Sequence, residues 1–129
     1  MFSEKRNASV EFLKFIADIS DPATGTIDIE RLASWLHMST AELHDRWKSS
    51  AKRLPWKLFA DELLDVLDAI QDRTLDLDRT TRWFRSVSIS HFEMMTADEA
   101  VVKGSARRLS ESIRAGQVVV EAAAQHGSL

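Results

Sequence analysis

Leu58-Phe59-Ala60-Asp61-Glu62-Leu63-Leu64-Asp65-Val66-Leu67-Asp68-Ala69-Ile70 is the stretch on which the reading of this chain turns. Phe59, Leu63, Val66, Leu67 and Ile70 recur at helical intervals and Leu64 widens the stripe, while Asp61, Glu62, Asp65 and Asp68 fill the remaining positions. A period near 3.6 residues puts the apolar groups on one side of a helix and the carboxylates on the other. Pro55 fits the first helical position, where its missing N–H costs nothing. A helix with so broad an apolar face is stable only when other elements cover it.

The flanking segments supply helical partners. Val10, Leu13, Phe15, Ile16 and Ile19 predict a first amphipathic helix facing inward, followed by a loop over Ser20-Asp21-Pro22-Ala23-Thr24-Gly25-Thr26. Ile29, Leu32, Ala33 and Leu36 form the next helical stripe, with Asp28 as its N-cap. Ser39 and Glu42 have the spacing of a capping box, predicting a third helix through Leu43 and Trp47 to about Arg53. Beyond the central helix, Asp76 and Asp78 read as caps, Asp78 opening a short helix that carries Trp83 and Phe84. Val87-Ser88-Ile89-Ser90 alternates like a strand but has no evident partner. Thr96 and Glu99 form a second capping box, opening a helix that Gly104 interrupts or ends, and Ser105 to Ala115 forms the last helix with Gly116 at its C-cap. The expected fold is all-α, one compact multi-helix domain. Trp35, Trp47, Trp56 and Trp83 are expected in buried packing, with Phe92 inward and one methionine of the Phe92-Glu93-Met94-Met95 stretch presented outward.

Composition agrees with a folded, helical chain. Of 129 residues, 44% are hydrophobic and 29% charged, and four Gly and two Pro are too few for a barrel or sandwich of many short strands. With no cysteine there are no disulfides and no thiolate chemistry. No run reaches the roughly 18 apolar residues of a membrane span, and the opening Met1-Phe2-Ser3-Glu4-Lys5-Arg6 lacks the apolar region of a signal peptide, so a cytoplasmic location and no membrane partner are expected. His37, His44, His91 and His126 form no metal-binding pair, and no phosphate-cradling glycine loop or nucleophile elbow occurs. An enzyme is therefore not expected, and neither a metal nor a cofactor is called for. The acids of the central helix read as a solvated face.

The net charge of −3 is unevenly spread. His37 to Lys57 holds five basic residues against two acids, whereas Leu58 to Asp78 holds seven acids against Arg73 alone. Such a division suits contact with nucleic acid on one side and protein on another, or two solvated helix faces. Ile29 to Trp47 has the skeleton of a helix-turn-helix, with Ala33 at the crossing and Leu36, Met38 and Leu43 as the buried contacts. Its second helix would offer Ser39, Thr40, Glu42, His44 and Arg46 to base edges, with Lys48 and Lys52 toward phosphates. Against this, His37 stands where glycine usually turns the chain, and Glu42 and Asp45 repel phosphate, so a helical hairpin without DNA is the alternative.

From Phe59 to Gly116 an order of features accumulates: the amphipathic helix, the acidic connector, Arg82-Trp83-Phe84, Phe92, Thr96-Ala97-Asp98-Glu99-Ala100-Val101, Gly104, then Leu109, Ile113 and Gly116. This order resembles the toxin-binding domain of the Xre/MbcA/ParS antitoxin family. The family's proline after the threonine is Ala97 here, and its small-residue turn is replaced by Glu93-Met94-Met95. The resemblance implies a helix-turn-helix-like region over residues 1–57 and a toxin-binding domain with a C-terminal tail over 58–129. It implies a type II antitoxin that occludes a RES-type, NAD-consuming toxin, works as a homodimer and represses its own operon at operator DNA. A DNA-binding transcriptional regulator without a toxin is the alternative. Carried onto this chain, the toxin-facing residues are Arg85, Ser88, His91, Phe92, Met94, Thr96, Lys103 and Gly104, joined from the tail by Gln125, His126 and Leu129.

Overall fold

The computed structural model describes residues 10–120. Among these residues are seven α-helices: α1 (Val10–Ile19), α2 (Ile29–Trp35), α3 (Thr40–Ser49), α4 (Trp56–Thr74), α5 (Leu77–Ser86), α6 (Ala97–Val102) and α7 (Ala106–Arg114), with a 3₁₀ turn at Ser90–Phe92. The chain is all-α, and no helix among the described residues is long and apolar enough to cross a membrane.

The 19-residue α4 is the axis of the molecule. Phe59, Leu63, Val66, Leu67 and Ile70 are buried, and α5 and α7 pack along it. Its acids meet counter-ions rather than water alone: Lys57 reaches Asp61, Lys52 reaches Glu62 at 2.7 Å, and Arg114 of α7 reaches Asp65 and Asp68. Arg73 donates to the carbonyls of Ile113 and Arg114, so a cation from α4 sits at the electronegative end of α7. One apolar cluster runs from Phe12, Phe15 and Ile19 through Leu32, Leu36 and Leu43 to Phe84, Phe92, Leu109 and Ile113. The regions on either side of residue 57 thus share a core.

Several expectations need correction. In α1 the inward residues are Phe12, Phe15 and Ile19, whereas Val10 and Leu13 are exposed. Phe15 meets Trp35 of α2 edge-on at 5.3 Å, an aromatic contact between helices that goes with this rotation. α3 ends at Ser49 instead of near Arg53, because Ser50 is extended and the Ala51 N–H turns to the Val102 carbonyl at 2.8 Å. Pro55 is the N-cap of α4 rather than its first residue. Asp76, not Asp78, caps α5, accepting from the N–H groups of Asp78 and Arg79, while Asp78 pairs with Arg82. Val87 to Ser90 is no strand: Ile89 makes a single bridge to Met95, and the chain between them coils into the 3₁₀ turn.

The tryptophans are half-buried rather than enclosed. Three donate an indole N–H to a fixed acceptor: Trp35 to Asp18 Oδ2 at 2.7 Å, Trp47 to the Leu54 carbonyl at 2.8 Å, and Trp56 to the Ile27 carbonyl at 2.8 Å. A buried indole needs such a partner, so each ring bridges core and surface. Both predicted capping boxes form, at Ser39/Glu42 and Thr96/Glu99.

Candidate functional site

α2 and α3 are joined by the turn at Leu36-His37-Met38, with Leu32, Ala33, Leu36, Met38 and Leu43 all buried. His37 takes the left-handed conformation (φ 59°) that glycine usually supplies at this turn. What holds it there lies elsewhere in the chain. Arg85, at the end of α5, donates to the Leu36 carbonyl at 2.6 Å and the His37 carbonyl at 3.1 Å, satisfying the open end of α2.

Arg85 also lies 3.5 Å from Asp98 of α6, and Arg46 of α3 donates to both Asp98 oxygens at 2.8 and 2.9 Å. The Asp98 side chain is only 8% exposed. Two guanidiniums thus neutralise one buried carboxylate and fasten α3, the turn and α5 to α6.

This arrangement changes what α3 offers to a nucleic acid. Arg46, expected at base edges, is committed to Asp98, and Lys52, expected at phosphates, is paired with Glu62. Ser39 and Glu42 are occupied by each other's backbone in the capping box. The Glu42 carboxyl is held below the ordinary 4.5 chiefly by the Ser39 N–H, with the Ser39 hydroxyl, Arg46 and Arg85 acting the same way against a smaller opposing effect of desolvation. Thr40, His44 and Lys48 are exposed, His44 edge-on to Trp47 and Lys48 over the same ring at 4.4 Å. The exposed surface of α3 therefore carries one cation beside Glu42 and Asp45, a poor match to phosphate.

The residues expected to face a toxin divide into two groups. Arg85 faces inward as described, and Phe92 is buried with the Arg108 guanidinium stacked 4.3 Å from its ring centre. The Thr96 hydroxyl caps the Glu99 N–H. These three hold the fold. Ser88, His91, Met94 and Lys103 are exposed, Met94 at 61%. Gly104 has φ +89°, and a Cβ there would stand 3.3 Å from the Lys52 side chain, so glycine is needed for both conformation and space. Gln125, His126 and Leu129 lie outside the described residues.

Of the exposed group, Ser88 and His91 line a cleft that spacing alone did not reveal. Trp83, Val87, Ser88, Ile89, His91 and Val118 are among the residues lining a space of about 330 Å³ between the 87–91 segment and residues 117–119. Residues 118–120 alternate, Val118 and Val120 buried and Val119 80% exposed. Val87 and Met94 add exposed apolar surface nearby in the chain. The Val118-Val119-Val120 run was the available signal. Three consecutive valines mark an apolar segment, but the segment they lie against is not legible in the sequence.

Among the described residues, no group of three or more His, Asp or Glu side chains is placed to hold a metal ion. Comparison of the chain with protein-family models, curated proteins and solved structures finds no match.

Proposed function

We propose that this chain is a protein-binding antitoxin of the Xre/MbcA/ParS type, which neutralises a RES-like toxin by covering its substrate cleft and performs no chemistry itself. The observation that carries this reading is the cleft between Val87–His91 and Gln117–Val119, with Val87 and Val119 exposed among its lining residues. Large apolar side chains at the mouth of a preformed hollow are the usual anchors of a protein interface. A stable occluding complex buries about 1,200–2,000 Å² in total, more than the cleft alone provides.

The charge arrangement favours protein over DNA as the main partner, since Arg46 and Lys52 are neutralised within the fold. Repression of an operon through α3 is the secondary part of the proposal and rests on Thr40, His44 and Lys48. Co-expression with the product of the neighbouring gene tests the reading. Growth arrest by that product should be relieved by this chain through a stable complex. A toxic product that this chain neither binds nor relieves sinks the proposal.

A further inference from the structure

A second cleft, of about 340 Å³, opens where α1, α2 and α5 meet, and it shares no lining residue with the first. Its walls include the carboxylates of Glu11 and Asp78, the Trp35 indole, the hydroxyls of Ser34 and Thr81, and His37. Among the described residues that line it there is neither Lys nor Arg. From these features we infer that the cleft binds an organic cation, an ammonium or guanidinium group carried on an alkyl chain.

The walls are fixed in advance. Glu11 Oε1 accepts the Leu77 N–H at 3.0 Å, which ties this carboxylate of α1 to the start of α5. Trp35 is held edge-on to Phe15 at 5.3 Å and by its N–H bond to Asp18, so its ring does not need ordering when a ligand arrives. Aromatic faces attract cations through their quadrupole, and adjacent carboxylates add charge-assisted hydrogen bonds. Asp78 already meets Arg82 at the rim, but both side chains are about two-thirds exposed. An ion pair so open to water contributes little, and an incoming cation displaces it. The volume falls at the lower end of small-ligand pockets, large enough for one alkyl-cation head group.

The cation has two sources, a free polyamine or a basic side chain of a partner protein, and the test separates them. Spermidine and the blocked peptide acetyl-Gly-Arg-Gly-amide are titrated into the full chain, following the Trp35 indole N–H resonance. A saturable shift below about 10 mM is expected. Tighter spermidine binding assigns a free amine, and tighter peptide binding assigns a partner's side chain. Glu11→Gln keeps an acceptor for the Leu77 N–H and so keeps the fold, yet it should weaken binding about tenfold, the loss of one charge-assisted bond. Asp78→Asn should do the same. No saturable shift with either compound, or affinity unchanged from the parent in both variants, overturns the inference.

Discussion

Asp98 shows how one side chain joins distant parts of this molecule. From sequence it reads as an acid in a capped first turn. Its partners Arg46 and Arg85 lie far off in the chain, and no local pattern announces them. Replacing Asp98 by Ala leaves two guanidiniums half-buried and unpaired, each about one-quarter exposed and so partly rescued by water. A loss of about 2–3 kcal/mol is expected in urea unfolding. Glu42 gives a pH signature. Its folded pKa lies below its unfolded one, so it adds stability above the ordinary 4.5, and that increment disappears as pH falls through the folded value. Parent and Glu42→Gln should therefore differ in melting temperature at neutral pH and converge on acidification. A constant gap would contradict the assignment.

Helices were legible where periodicity and caps agreed, and misread where tertiary contacts set the ends. Ser39/Glu42 and Thr96/Glu99 marked two helix starts correctly, because both halves of a capping box lie within one turn. The end of α3 was hidden, since it depends on the Ala51 N–H finding Val102 across the fold. Likewise, the rotation of α1 goes with Phe15 meeting Trp35 of α2, which apolar spacing alone cannot distinguish from Leu13 packing inward. Gly104 was recognised as a break between helices, and its need is now specific. Gly104→Ala combines a left-handed backbone with a close approach to Lys52, and should cost about 1–2 kcal/mol. Chemical denaturation measures this directly, and a neutral effect would show that the turn relaxes freely.

As a whole, the molecule is a helical scaffold in which Arg46 and Lys52 are paired within the fold and the 87–91 segment and residues 117–119 line a cleft. The sequence made the all-α class plain, through the α4 stripe and the scarcity of Gly and Pro. The candidate face was only half legible: exposed Met94 and buried Phe92 followed from chemistry and spacing, while the cleft needed two segments far apart in the chain to meet. The most direct test of this account is the affinity of the purified chain for the toxin proposed as its partner, compared between parent and the Met94→Asp/Val119→Asp double variant. Both side chains are exposed, so the variant should stay folded by circular dichroism while binding at least about 100-fold more weakly, the loss typical of interface hot spots. Unchanged affinity in a folded variant would place the partner elsewhere and contradict the account.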